Sequence, residues 1–213
     1  MKKGAIILCG GKSSRMGRDK ATLPFGPEQM LQRVVRLVGV VVELENVVVV
    51  AAPEQTLPEL PTAVIIARDQ CKDRGPLEGL AAGLRVLSGR AEAAYATACD
   101  VPLLAPGFVV RMFELLGDHD IAVPREGEFH HPLAAVYRVT VLPRVQALLD
   151  ADRLRPRYLF DEVDSLGAFD AFAVPTANAV VPCTVHDGPV GPVPYLSRVN
   201  SPFNSGRISA SLT

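Results

Sequence analysis

The chain opens on a short apolar run, Ala5–Cys9, bounded by Gly4 on one side and by Gly10-Gly11 on the other. It is too short for a helix and reads as a buried strand. The period then changes. Leu31, Val34, Val35 and Val38 recur at three- and four-residue intervals, which predicts a helix over Met30–Val38. The β-branched run Val47–Ala52 predicts a second strand, and Ala63–Ala67 a third. Pro76 opens a helix readily, because its missing N–H would find no partner in a first turn. Leu80, Leu84 and Leu87 give that helix an apolar stripe, and Gly89 is placed to stop it. Ala93–Ala98 predicts a fourth strand running into Asp100-Val101-Pro102, followed by a helix at Phe108–Leu116 and a short strand at Ile121–Val123.

Strands alternating with helices predict an α/β fold, a Rossmann-like three-layer sandwich with a mainly parallel sheet and helices on both faces. Right-handed crossovers put the loops after the strands along one edge, where such sheets bind their ligands. The Gly10-Gly11 loop and Asp100 are therefore expected on the same edge, ninety residues apart in sequence. Beyond residue 124 the periodicity weakens: His131–Tyr137 reads as a strand and Val141–Leu149 as a helix. From Pro175 onward Pro and Gly become dense, the composition of a covering segment or a loosely ordered tail.

Composition narrows this picture. The 213 residues suit one domain, and 48% hydrophobic against 21% charged residues is the balance of a globular core. With 6% aromatics and no Trp, that core rests on Val, Leu, Ile and Ala. A net charge of -1 gives no whole-molecule attraction to nucleic acid, so no nucleic-acid partner is expected. No run approaches the ~20 apolar residues of a membrane span. Met1-Lys2-Lys3 before an apolar run resembles the start of a signal peptide, but Gly10-Gly11-Lys12 follows instead of a cleavage site. Cys9, Cys71, Cys99 and Cys183 form no C-x-x-C pair, so neither zinc nor redox chemistry is indicated, and a cytoplasmic location is expected.

The candidate chemistry lies in the segment from Leu8 to Lys20. Gly10 and Gly11 let backbone N–H groups approach an anion without a side chain in the way. Lys12, Arg15, Arg18 and Lys20 supply four cations, which suits a polyphosphate better than a single carboxylate. Gly11-Lys12-Ser13 is not a P-loop, because Ile6 stands where that motif needs its first glycine, and no G-x-G-x-x-G follows the strand. Asp100, at the end of an apolar strand, either caps the following turn or binds a hard cation such as Mg²⁺. Asp161, Glu162 and Asp164 read as a solvated acidic face, and His119 and His186 have no evident partners.

Leu8-x-Gly-Gly-x-Ser-x-Arg-Met-Gly-x-Asp-Lys20 resembles the signature of the sugar-nucleotide-pyrophosphorylase-like nucleotidyltransferases, and most of all the molybdenum cofactor guanylyltransferases. Asp69, Gly75-Pro76-Leu77-x-Gly79-Leu80, Cys99-Asp100-Val101-Pro102 and His131-Pro132-Leu133-x-Ala135-x-Tyr137 extend the resemblance over roughly residues 4–160. It implies the nucleotide-diphospho-sugar transferase fold and Mg²⁺-dependent transfer of GMP from GTP to the phosphate of molybdopterin. It also implies residue roles. Arg15 and Lys20 would neutralise the triphosphate, with Gly10 and Gly11 adding backbone dipoles. Leu8, Cys9 and Gly10 would contact base and ribose, Asp69 the nucleotide, and Asp100 the Mg²⁺. On this basis the single domain 1–213 divides into a nucleotide-binding half at 1–123, an acceptor-binding half at 124–200 and a tail at 201–213. Transient contact with other proteins of molybdenum cofactor synthesis follows only by analogy.

The chain departs from that pattern in two places. Val47–Ala52 carries no polar side chain where the family commonly has an Asn, and Asn200 alone remains of an Asn-x-Asn-Thr-Pro-Glu stretch. Two other readings stay open for this reason. One is a cytidylyltransferase acting on molybdopterin or a small phosphorylated alcohol; the other is a non-catalytic nucleotide- or cofactor-binding homologue.

Overall fold

The computed structural model describes residues 1–9, 19–69, 74–127 and 129–170, the last six of them as backbone only. Its elements in chain order are β1 (Lys3–Leu8), the hairpin β2 (Pro24–Phe25) and β3 (Glu28–Gln29), α1 (Met30–Val38), β4 (Val47–Ala51), β5 (Ile65–Arg68), α2 (Pro76–Leu87), β6 (Ala93–Ala98) and α3 (Pro106–Leu116). They continue with β7 (Ile121–Glu126), β8 (Phe129–His130), β9 (Ala134–Arg138), α4 (Leu142–Asp150), α5 (Arg157–Phe160) and β10 (Ser165–Asp170).

The main sheet runs β10-β7-β9-β6-β1-β4-β5, with β8 paired to β7. β1 is parallel to both β4 and β6, β4 to β5, and β10 to β7. Only β9 on that path runs against its neighbours, β6 and β7. Side-chain alternation along β1 sorts the core into two layers. Ala5, Ile7 and Cys9 pack with Leu31, Val34, Val35 and Val38 of α1 and with Val109, Met112, Phe113 and Leu116 of α3. Ile6 and Leu8 pack with Leu77, Leu80 and Leu84 of α2, Val145 and Leu148 of α4 and Leu159 of α5. This is the expected three-layer α/β sandwich.

One contact fixes how close α2 lies to β1. A Cβ on Gly83 would stand 2.5 Å from Ile6 Cγ2, and one on Gly79 would stand 3.0 Å from Leu8 Cδ2. The absent side chains let α2 seat directly on the strand whose far end carries Leu8 and Cys9.

The sequence reading misses the β2–β3 hairpin, β8, α5 and β10, all short or lying in weakly periodic stretches. Several boundaries also shift: the third strand starts at Ile65, α3 at Pro106 and α4 at Leu142, and β7 runs on to Glu126. The His131–Tyr137 strand is real only as Ala134–Arg138, and its antiparallel placement inside the sheet was not foreseen. His119, read as partnerless, has its Nδ1 3.2 Å from Asp164 Oδ2. No helix among the described residues is long and apolar enough to cross a membrane.

Candidate active site

Because β1, β4, β5 and β6 are parallel, their carboxyl ends share one edge. The pairing continues one residue past β1 and β6: the Cys9 N–H donates to Val50 O at 2.8 Å, and the Cys99 N–H to Leu8 O at 3.0 Å. Asp69, just past β5, is tied in likewise, its N–H donating to Ala51 O at 2.9 Å. Leu8, Cys9, Asp69 and Asp100 therefore line up along the same edge, as the strand order requires.

Lys20 reaches this edge from a 3-10 turn, Lys20–Thr22, capped by Asp19, whose Oδ1 accepts from the Ala21 N–H at 2.9 Å. The Lys20 ammonium lies 2.6 Å from Asp100 Oδ2, and the two side chains stay 41% and 34% exposed. The carboxylate at hydrogen-bond distance raises the Lys20 pKa, because it favours the charged ammonium. A cation and a carboxylate that remain open to solvent at a strand edge can be drawn onto phosphate oxygens and a metal ion respectively. Gly10, Gly11 and Arg15 lie outside the described residues, as do Asn200 and His186.

Cys9 and Cys99 are buried in one apolar cluster as free thiols. Contact with Cys99, and then burial, push the Cys9 thiol above its usual range, which keeps it protonated and unreactive. Packing accounts for both cysteines, as the apolar runs around them suggest.

Two residues that the sequence reading passed over also shape the edge. The Arg33 Nε, from α1, donates to Pro102 O at 2.7 Å, two residues past Asp100. Its guanidinium lies 4.8 Å from the centre of the Phe25 ring. The Gln55 carboxamide, four residues past β4, donates to Cys9 O at 3.1 Å and to Asp19 Oδ2 at 2.7 Å. No motif marks either residue. For Gln55 the available signal is its position just after a strand whose own end is wholly apolar.

The remaining polar groups gather elsewhere. Glu162 pairs with Arg153 at 2.6 Å. Asp161, Glu162, Asp164, Asp120 and Arg144 line a cavity of about 440 Å³. Asp120 precedes β7, which runs in the same direction as β6, so this cavity lies at the sheet edge opposite Asp100. His131 Nε2 is 3.8 Å from Glu126 Oε2, on the turn before β9.

Residues 5–165 match the family described as the MobA-like NTP transferase domain. The chain is 36% identical over 170 residues to a protein of Mycolicibacterium paratuberculosis named probable molybdenum cofactor guanylyltransferase, covering 78% of this chain and 84% of that one. Its fold is similar to that of molybdopterin-guanine dinucleotide biosynthesis protein A from Archaeoglobus fulgidus, with TM-score 0.61, 18% identity, and coverage of 78% and 82% of the two chains. It is also similar to that of a cytidylyltransferase from Leptospira borgpetersenii, with TM-score 0.57, 15% identity, and coverage of 79% and 76%. A family match across three-quarters of the chain, joined to this relative and this fold, shows that the chain belongs to the MobA-like NTP transferases and is a nucleotidyltransferase.

Proposed function

We propose that the protein transfers GMP from GTP to the phosphate of molybdopterin, forming the guanine dinucleotide cofactor and releasing pyrophosphate, with Mg²⁺ as its cofactor. The observation that carries this reading is the meeting of Lys20 and Asp100, 2.6 Å apart at the carboxyl edge of the parallel strands. In-line attack of a phosphate oxygen on the α-phosphorus asks a protein for positioning and charge neutralisation, with little covalent chemistry. Lys20 donates to oxygens of the triphosphate, exchanging the Asp100 carboxylate for them as the nucleotide binds. Asp100 would hold the metal. Mg²⁺ takes one or two carboxylates plus phosphate oxygens and water, so one half-exposed carboxylate suits it. The described residues hold no group of three or more His, Cys, Asp or Glu that would form an all-protein cage. When bound, the metal would screen the charge of the triphosphate.

Leu8, Cys9 and Gly10 would read base and ribose through the backbone at the end of β1, with Gly11 adding a further N–H and Asp69 facing the nucleotide from β5. Arg15 would steady the leaving pyrophosphate. The name of the 36% identical relative supports a guanine nucleotide and the molybdenum cofactor as substrates. The buried free thiols Cys9 and Cys99 suit a reducing cytoplasm.

Incubating the pure protein with each NTP, Mg²⁺ and molybdopterin tests the proposal through pyrophosphate release and formation of the dinucleotide. GTP should be preferred. A clear preference for CTP would replace the guanine assignment by the cytidylyl one.

A further inference from the structure

The Gln55 side chain is hydrogen-bonded to both residues flanking the segment 10–18. Its Nε2 donates to Cys9 O at 3.1 Å and reaches Asp19 Oδ1 and Oδ2 at 3.0 and 2.7 Å. Its Oε1 accepts from the Ala52 N–H at 3.1 Å, so the amide has a partner for each of its groups. The turn that presents it is itself held: Arg68 Nη1, from β5, donates to Ala52 O at 2.9 Å and to Gln55 O at 2.8 Å. On the far side, Asp19 passes the constraint on, because its Oδ1 also accepts from the Ala21 N–H of the turn that begins at Lys20.

We propose that Gln55 is a positioning residue for nucleotide binding, whose carboxamide ties the end of β1 to Asp19 and thereby holds Lys20 against Asp100. This rests on the reading of Lys20 as a nucleotide-binding residue. Two consequences of the geometry carry it. First, the amide donates to both stems of the Leu8–Lys20 segment at once, which neither an apolar side chain nor a carboxylate can do. Second, it keeps Asp19 engaged. Without that donor Asp19 would keep the Ala21 N–H on its Oδ1, while its Oδ2 would be open to compete with Asp100, and later with phosphate, for the ammonium. The amide thus supplies at the end of β4 a polar contact that the strand itself lacks, and it acts on the nucleotide through Lys20.

The test is equilibrium binding of GTP, and of CTP in parallel, with Mg²⁺, to the full chain and three variants: Gln55→Ala, Gln55→Glu, and Gln55→Glu combined with Asp19→Asn. A lost hydrogen bond to a charged group corresponds to roughly a tenfold to hundredfold change in affinity, so both single variants should weaken binding by about that factor at pH 8. Gln55→Glu faces Asp19 with a like charge, which raises the carboxyl pKa. Its binding should therefore recover, relative to the parent, as the pH is lowered from about 8 toward about 5.5, while Gln55→Ala shows no such recovery. Asp19→Asn should rescue Gln55→Glu in part at pH 8, because it returns an amide donor to the 55–19 pair while the bond to Cys9 O stays lost. Thermal melts recorded alongside report how far each variant is folded. Equal weakening in all three variants, with neither pH recovery nor rescue, would reduce Gln55 to a turn-packing residue and overturn the inference. Failure of the parent protein to bind either nucleotide would instead overturn the reading on which it rests.

Discussion

Lys20 and Asp100, eighty positions apart in sequence, meet at 2.6 Å because β1 and β6 are parallel neighbours whose carboxyl ends coincide. Both remain partly exposed, so the pair contributes little to stability, on the order of 0–1 kcal/mol as for other solvent-screened ion pairs. Replacing Asp100 by Asn should leave the melting temperature within a few degrees of the parent. It should also abolish Mg²⁺-dependent pyrophosphate release. Unchanged turnover in Asp100→Asn would refute the metal role.

The same pair has a pH signature. The Lys20 pKa is raised in the folded protein, so its stabilisation is present below the unfolded lysine value and is lost as pH rises through the folded one. Denaturation midpoints of the parent and a Lys20→Met variant, each divided by its own value at pH 7, should therefore diverge as the pH is raised through the lysine range. Parallel curves on the alkaline side would contradict the pairing.

Glu28 gives the opposite case. Arg36 Nε at 2.6 Å and Arg33 Nη1 at 3.3 Å hold its carboxyl below the usual carboxylate range. A depressed carboxyl pKa contributes stability above the unfolded value and loses it as pH falls through the folded one. The gap in urea midpoint between the parent and Glu28→Gln should accordingly be open at neutral pH and close as the pH is taken below the ordinary Glu range.

Arg33 links α1 to the loop that carries Asp100. Its bond to Pro102 O involves a charged donor, and its guanidinium covers the Phe25 ring. Arg33→Ala should cost about 1–3 kcal/mol in denaturant unfolding. A variant as stable as the parent would show that the Pro102 contact carries no net energy.

Gly83→Ala pits two effects against each other. Helix propensity alone would stabilise by about 1 kcal/mol. The new methyl, however, would lie 2.5 Å from Ile6, a β-branched residue with 0% exposure, and overpacking of this kind costs about 1–3 kcal/mol. The clash should win, lowering the thermal midpoint. A raised midpoint would mean that α2 can lift off β1 at little cost.

How much of this was legible beforehand follows from which forces act locally. The β-branched run at Val47 and the apolar stripe from Leu31 to Val38 are local signals, and both elements form where the pattern puts them. Parallel strands with right-handed crossovers share one carboxyl edge, so the placement of the Leu8 end and Asp100 on that edge followed from the sequence, while the pairing of β1 with β6 did not. β9 was beyond such reasoning. A strand's alternation is the same whichever way it runs, and only its pairing with β6 and β7 decides direction. Gln55 was beyond it too, since nothing in Pro53-Glu54-Gln55 marks a bridge to Cys9 and Asp19. The sequence by itself determined the layers, the strand edge and the chemistry available there, because burial period and charge are written residue by residue. Which carboxylate meets Lys20, and which amide holds its turn, was decided by the tertiary structure. Those contacts join segments that no local interaction relates.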